Sequence, residues 1–249
     1  SYYADVMGIP VDKIVSVSVM PCTAKKHELG RDDQGADGYQ DVDYSLTTRE
    51  LARMIKMAGI EFMKLEDEPY DNPLGEYTGA GVIFGATGGV MEAALRTAVE
   101  KLTGEELIDL DFVDVRGVKG VKEAEYDLQG KKVKVAVASG LANARIIMDK
   151  VKAGEADYTF IEIMGCPGGC VNGGGQPHVD SQVRNFIDVR AERAKGLYTL
   201  DKNAPIRKAH ENPVIIKMYD DYLGVPGGEK AHHLLHTSYV NRGVNKQAD

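Results

Sequence analysis

The sequence has no tryptophan and only three cysteines among its 249 residues. Three cysteines are too few for a disulfide framework, and an odd number cannot all pair. The hydrophobic fraction is 43%, yet no apolar run of about 18 residues occurs, so no membrane span is predicted. Basic residues number 30 against 38 acidic ones. The resulting net charge of −8 argues against a protein that binds nucleic acid.

The beginning of the chain also lacks two features. Residues 1–8 contain no methionine at the first position and no basic segment followed by an apolar stretch. The second absence predicts no secretory signal peptide, and we expect a cytoplasmic protein. Tyr2, Tyr3, Val6 and Met7 fit one face of a helix that ends at Gly8. Because this helix starts at the first residues, we expect the chain to be part of a longer polypeptide.

Cysteine and glycine are concentrated in residues 164–177. Cys166 and Cys170 lie there, together with six of the 28 glycines. Thiolates are soft ligands that favour zinc, Cu(I) or iron–sulfur clusters. Glycines let the backbone approach a bulky inorganic group closely. The alternative is a flexible surface loop with two incidental thiols, and Pro167 and Pro177 argue against such flexibility. The segment therefore predicts a metal centre.

The third cysteine, Cys22, follows a predicted strand at 14–20. Lys25 lies three residues further on and could donate to a sulfide or another anionic ligand of a metal centre. A buried cysteine before a solvated turn is the alternative. Zinc also remains open, because His27 or His178 could complete a four-ligand site. An iron–sulfur cubane would need a fourth ligand beyond the three cysteines.

The order of the predicted elements indicates the fold class. Strands that lead through a glycine turn into a helix and then a further strand predict an α/β fold, with a parallel sheet and flanking helices. Ligands bind at the carboxyl ends of such strands, so Cys22, Gly85 and Cys166 should converge. The turn Gly85–Gly89 could bind an anion or pack closely against a cofactor. The predicted strands are 14–20, 80–84, 112–118, 121–126, 132–138 and 158–163, and the predicted helices are 49–58, 90–101, 141–152, part of 188–210, 212–223 and 230–239.

Two segments resemble signature motifs of the iron-only ([FeFe]) hydrogenases. Residues 20–28, Met-Pro-Cys-Thr-Ala-Lys-Lys-His-Glu, resemble the second motif, and residues 164–177, Met-Gly-Cys-Pro-Gly-Gly-Cys-Val-Asn-Gly-Gly-Gly-Gln-Pro, resemble the third. Residues 84–96 and the tail from Tyr222 to Arg242 are also similar to the family. The resemblance covers nearly the whole chain. It implies part of the two-lobed hydrogenase catalytic fold in 1–187, followed in 188–249 by a small helical segment that resembles the small-subunit region.

The resemblance also implies a cofactor, the H-cluster, in which a [4Fe–4S] cubane is joined through one cysteine sulfur to a di-iron subcluster carrying CO, CN⁻ and a dithiolate. By motif position, Cys22 and Cys166 would ligate the cubane and Cys170 would bridge the two units. Lys25 would hydrogen-bond a cyanide, whereas Met20 and Met164 would pack against the di-iron unit. The other expected cofactor-binding residues are Phe84, Gly85, Glu28, Pro167 and Gln176, with Glu28 orienting its loop.

One family feature is missing. The first signature motif, which resembles Thr-Ser-Cys-Cys-Pro and carries the fourth cubane ligand and a proton-relay cysteine in the family, does not occur here. We therefore expect a fragment of an enzyme that catalyses 2H⁺ + 2e⁻ ⇌ H₂, with the isolated fragment unable to hold a complete cubane or turn over hydrogen. The implied partners are the upstream part of the same chain and an electron donor or acceptor such as ferredoxin or an NAD(P)H-linked subunit.

Two related functions remain as alternatives. One is a non-enzymatic hydrogenase-like protein of iron–sulfur assembly, and the other is a hydrogen-sensing regulator. Ala24, Met164 and Gly168 occupy positions at which the assembly proteins usually differ, and they favour the enzyme. The motifs do not separate the enzyme from the sensor.

Overall fold

The computed structural model describes residues 2–36 and 38–238. In this part of the chain the strands are β1 Val17–Met20, β2 Gly35–Ala36, β3 Tyr39–Gln40, β4 Tyr44–Thr47, β5 Val121–Leu128, β6 Lys131–Ser139 and β7 Phe160–Met164. The α-helices are α1 Tyr2–Met7, α2 Ala24–Glu28, α3 Thr48–Met57, α4 Gly79–Val82, α5 Gly89–Thr103, α6 Leu141–Lys152, α7 Ser181–Arg184, α8 Val189–Asn203, α9 Pro213–Met218 and α10 Glu229–Leu235. Short 3₁₀ turns include Ile83–Gly85, Val113–Val115 and Cys170–Asn172, and Tyr219–Leu223 is a π-helical turn.

The largest sheet has the order β5-β6-β7, with β6 antiparallel to β5 and parallel to β7. Its central strand β6 reads Lys-Lys-Val-Lys-Val-Ala-Val-Ala-Ser, and its side chains alternate between two packed faces. Val133, Val135 and Val137 pack with Met91 and Leu95 of α5. The other face is covered by α6, whose buried residues pack on the alanines of β6. The core of the protein therefore lies on both sides of β6.

A second sheet contains only β1 and β4, which are parallel and place Met20 opposite Thr47. Helix α3 follows β4 directly and begins with a capping box. The Thr47 hydroxyl accepts from Glu50 N at 3.2 Å, and Glu50 Oε2 accepts from Thr47 N at 2.8 Å. Among the described residues of 9–77, no hydrophobic side chain is buried. This sheet therefore has little core of its own.

The α/β fold with a parallel sheet is confirmed, and the helices predicted at 49–58, 90–101 and 141–152 correspond to α3, α5 and α6. The strand predicted at 80–84 is wrong, because these residues form the rest of α4 and a 3₁₀ turn. Two contacts explain the difference. The Thr78 hydroxyl accepts from Gly81 N at 3.2 Å and caps α4. Gly79 packs so closely on Asp201 of α8 that a Cβ there would lie 2.1 Å from Asp201 Oδ1. This close approach to α8 requires a segment rich in glycine and alanine.

A second strand prediction, at 112–118, is also wrong, since this segment contains only the 3₁₀ turn Val113–Val115. Strand β5 pairs instead with β6 through a hairpin at Gln129 and Gly130, which both have positive φ angles, of 54° and 87°. Tyr239 and Arg242 of the predicted tail lie outside the described residues. None of the helices that the structure describes combines the length and the apolar character needed to span a bilayer.

Candidate metal centre

The segments that carry the cysteines meet at the ends of two strands. Met20 ends β1 just before Cys22, and Met164 ends β7 just before Cys166. Gly175 N donates to Pro21 O at 2.9 Å. A Cβ at Gly173 would lie 2.1 Å from Pro21 O, so a side chain cannot be accommodated without movement. Backbone contact therefore joins the two cysteine segments.

Helix α3 holds this junction from its first turn. The Thr48 hydroxyl donates to Gly175 O at 2.8 Å and lies 3.3 Å from Gln176 Oε1. Arg49 donates from its backbone N to Gly175 O at 3.2 Å and from its guanidinium to Gly174 O at 2.9 Å. Another guanidinium nitrogen of Arg49 lies 2.7 Å from His178 Nε2. Gln176 thus contacts Thr48 at the start of α3, and His178 contacts Arg49.

The segment around Gly85 reaches the same place from the other side. Thr87 N donates to Gly168 O at 3.1 Å. A Cβ at Gly169 would lie 2.6 Å from Thr87 N and 2.7 Å from Gly85 O. The segments of Cys22, Gly85 and Cys166 therefore lie together as the sequence predicts, although a 3₁₀ turn rather than a strand delivers Gly85.

The surroundings of the Cys170 thiol include the other two cysteines. All three cysteines are free; Cys22 and Cys166 are partly buried and Cys170 is exposed. Surrounding protein atoms raise the pKa of the Cys170 thiol, Cys166 and Cys22 raise it further, and Lys25 acts in the opposite direction. A ligand must be a thiolate, so a bound group has to supply positive charge that displaces the proton from Cys170.

Candidate metal ligands lie in two places. In the described part of the chain, Glu100, His210 and Glu211 form a trio whose ligand atoms all lie within 4.8 Å of one another. The other place holds the three free cysteines on a glycine-rich backbone. Soft thiol ligands that a bulky group can approach closely fit an iron–sulfur cluster.

The two carboxylates of the Glu100 trio are already paired with a lysine. Lys208 forms ion pairs with Glu100 and, at 3.1 Å, with Glu211, while His210 Nε2 lies 2.7 Å from Glu100 Oε2. The hydrogen bond from Lys208 is the main reason that the pKa of Glu100 falls to about 2. We interpret this group as an ion-pair network between α5 and the segment after α8.

The remaining predicted residues surround the cysteines unevenly. Lys25 forms an ion pair with Glu28, and both line a cavity of about 140 Å³ together with Met20. Met164 is partly buried. Phe84 is 46% exposed. Pro167 is exposed, and its carbonyl accepts from Asn172 Nδ2 at 3.1 Å. Phe84, Pro167 and Cys170 are therefore each open to solvent.

Two buried charges beneath the Gly85–Gly89 turn were missed from the sequence. The Glu162 carboxylate accepts from Gly88 N at 2.7 Å and from Met91 N at 2.8 Å, so the N-terminus of α5 binds this side chain. Lys122 Nζ donates to Thr87 O at 2.8 Å. The available signal was a charged residue at an inward position of each strand, within the patterns Val-Lys-Glu and Ile-Glu-Ile.

Comparison with known families and proteins agrees with this arrangement. Residues 1–174 match the family model described as the C-terminal domain of the iron-only hydrogenase large subunit, and residues 187–242 match the iron hydrogenase small subunit. The chain is 50% identical over 242 residues to the NADP-reducing hydrogenase subunit HndD of Solidesulfovibrio fructosivorans, covering 97% of this chain and 40% of that protein.

A solved structure and a more distant relative complete the comparison. A variant of the [FeFe]-hydrogenase HydA1 from Chlamydomonas reinhardtii is 42% identical, with a TM-score of 0.79 over 98% of this chain and 67% of that one. The cytosolic iron–sulfur assembly component 3 of Rattus norvegicus is 32% identical over 256 residues, covering 98% of this chain and 52% of that protein. Since both family models match in succession and the fold agrees, the chain belongs to the iron-only hydrogenase family.

Proposed function

We propose that this chain forms the part of an [FeFe] hydrogenase site that holds most of the H-cluster, and that the reaction is 2H⁺ + 2e⁻ ⇌ H₂. The observation that carries the proposal is the backbone contact between the two cysteine segments at Gly173 and Pro21, with Cys22 and Cys166 near enough to raise the pKa of the Cys170 thiol. The chain spans 40% of the length of HndD. The fourth cubane ligand, the proton relay and the activity of the whole protein are therefore assigned to the natural polypeptide that contains this chain.

Each residue has a defined task in this proposal. Cys22, Cys166 and Cys170 would hold the cluster, with Cys170 as the ligand nearest the di-iron subcluster. The Lys25 ammonium donates to an anionic ligand and is kept in place by its ion pair with Glu28. When bound, the di-iron subcluster supplies the redox chemistry of proton reduction.

The other predicted residues shape the surroundings. Met20 and Met164 would provide soft apolar contacts, and Phe84, Gly85 and Pro167 would lie beside the cofactor. Gln176 supports the junction beside Thr48. These residues control the access of water to the cofactor and the hydrogen bonds made to it.

The electron partner is part of the proposal as well. The name of HndD describes an NADP-reducing hydrogenase subunit, which supports electron exchange with an NAD(P)H-linked subunit; ferredoxin is the other candidate. Three free cysteines are in keeping with the reducing conditions of the cytoplasm.

An assembly protein without a di-iron subcluster is the second candidate, because the 32% identical relative carries that role in its name. The enzyme is favoured by the 50% identity to HndD and by Ala24, Gly168 and Met164 in the two motifs.

Infrared spectroscopy of the natural polypeptide, matured with the di-iron cofactor, tests the proposal. We expect CO and CN⁻ bands together with hydrogen evolution, loss of the bands in Cys170→Ser, and unchanged bands in Gly165→Ala, where a Cβ would meet no atom within 4 Å. An assembly protein would bind iron and sulfide without these bands. Absence of both bands and hydrogen evolution in the matured protein would rule out the hydrogenase.

A further inference from the structure

A row of side chains beneath the metal centre contains two buried, opposite charges. Lys122 of β5 and Glu162 of β7 both stand opposite Val137 of β6, so their side chains leave the sheet on the same face. Each residue is only 6% exposed. Burial of a charge is unfavourable unless partners compensate for the lost water, so the partners of this pair show what it holds in place.

Glu162 holds the beginning of α5. Its two carboxylate oxygens accept separately from Gly88 N and Met91 N, at 2.7 Å and 2.8 Å. Gly88 has a φ of 92° and provides no side-chain cap. The carboxylate therefore replaces the usual cap and meets the positive end of the helix.

Lys122 holds the residue just before that helix. Its ammonium donates to Thr87 O at 2.8 Å and to Gly117 O at 2.9 Å. A Cβ at Gly88 would lie 3.1 Å from Lys122 Nζ and 1.8 Å from Val115 O. The ammonium, the turn and the 3₁₀ segment that ends at Val115 are therefore in close contact.

The turn held by Lys122 and Glu162 also contacts the cysteine segment. Thr87 N donates to Gly168 O at 3.1 Å, and Gly169 fits against Thr87 N and Gly85 O without space for a Cβ. Gly169 is the residue before Cys170. The contacts of Lys122 thus reach the two residues before Cys170 through Thr87, while Glu162 holds the adjacent Gly88.

We propose that Lys122 and Glu162 are positioning residues, which hold the Gly85–Gly89 turn against the backbone just before Cys170 and so set the surroundings of the di-iron subcluster. The effect on the turn does not depend on the cofactor. Only the effect on the subcluster rests on the proposed function.

The test combines hydrogen exchange of the cofactor-free natural polypeptide with infrared spectroscopy of the matured one. The variants are Glu162→Gln, which keeps the shape but removes one acceptor and the charge, and Lys122→Met, which removes both donors. Glu123→Gln and Lys132→Met are matched controls, because Glu123 and Lys132 are exposed neighbours on the same sheet. If Glu162→Gln does not fold, Lys122→Met and the double variant carry the test.

We expect both test variants to accelerate amide exchange in residues 85–91 about tenfold, because a buried group loses its partner, whereas the controls match the wild type. In the matured protein, the CO and CN⁻ bands should shift or broaden in the test variants alone. Unchanged exchange at 85–91 would refute the positioning of the turn. Altered exchange with wild-type bands would reduce the pair to a structural role. If the wild type itself lacks the bands, the proposed function fails, and the exchange result still decides whether the pair positions the turn.

Discussion

The two sides of the candidate metal centre are built in different ways. The packed side, residues 78–203, has a buried central strand with helices on both faces. The open side, residues 9–77, contributes no buried hydrophobic side chain from its described part, and Val17, Val19 and Tyr44 of its sheet are exposed. A parallel pair of strands without cover is marginal by itself. The segment of Cys22 is therefore positioned through the contact of Pro21 with Gly173 and Gly175, whereas Cys166 and Cys170 rest on a core.

The largest expected effect concerns an ion-pair network on the packed side. Arg96 donates to both carboxylate oxygens of Asp201, at 2.8 and 2.9 Å, and to Glu92 at 2.7 Å, and all three side chains are fully buried. Arg96→Met would leave two carboxylates without this partner. We expect a loss of about 3 kcal/mol in the free energy of unfolding, at the lower end of the range for broken buried pairs because Arg116 and Arg207 still contact Glu92 and Asp201 respectively.

Denaturant unfolding of the natural polypeptide measures this loss, with Arg145→Met as the control, because Arg145 is exposed on α6. Because the network joins α5 to α8, we expect hydrogen exchange in Arg96→Met to speed up throughout α5, α8 and the large sheet. A loss below about 1 kcal/mol, which is within the range of surface substitutions and weak pairs, would show that the packed side does not depend on this network.

A smaller effect is expected where the packed side meets Cys170. Gly169 has a φ of 99°, and an added Cβ would lie 2.6 Å from Thr87 N. Gly169→Ala combines an unfavourable backbone conformation with a backbone clash and should cost about 2 kcal/mol. Gly165→Ala is the control in the same segment and should be neutral, because its Cβ would have no neighbour within 4 Å. Equal melting temperatures for the two variants would contradict the close packing of Gly169 on the turn.

The third prediction uses the pH dependence of the packed side. Burial lowers the pKa of Lys122 from 10.5 to about 8, against the opposing effect of Glu162. Between these two values the unfolded chain binds more protons than the folded one, so the free energy of unfolding should rise with pH. The slope is at most about 1.4 kcal/mol per pH unit. Unfolding of the wild type and Lys122→Met from pH 7 to 10 measures it. Parallel curves for the two proteins would show that Lys122 does not titrate in this range.

Sequence patterns predicted the packed side well where the apolar residues repeat with a single period, either that of a strand or that of a helix. The alternation in β6 and the helical repeat of α5 identify both elements, because each buries the apolar residues that the pattern marks. The motifs also predict all three cysteines as ligands, and this assignment stays a prediction. Residues 80–84 were wrongly predicted because an apolar run of five residues fits a strand or a buried helix equally well. The Thr78 cap and the contact of Gly79 with Asp201 of α8 decide between them.

Other features depend on contacts between distant segments and could not be read from local patterns. Lys122 and Glu162 are 40 residues apart in number, and only the register through Val137 places them in one row. The ion pair of Lys25 with Glu28 is local and was within reach of the sequence, since the two residues lie three positions apart on a helix.

The smallest effect on global stability is expected at the contact between the two sides. Gly173 has a φ of −63°, which any residue adopts, so Gly173→Ala tests steric contact alone. Its Cβ would lie 2.1 Å from Pro21 O, whereas at Gly174 the nearest atom is Thr23 Oγ1 at 3.3 Å. Because the open side has little core, the clash can be relieved by moving β1 away from the packed side. We expect faster hydrogen exchange in Val17–Met20 and weaker iron binding in Gly173→Ala, with a melting temperature close to that of the Gly174→Ala control. A fall in melting temperature as large as that of Gly169→Ala would mean that the open side unfolds together with the packed side, and the distinction between the two sides would then not hold.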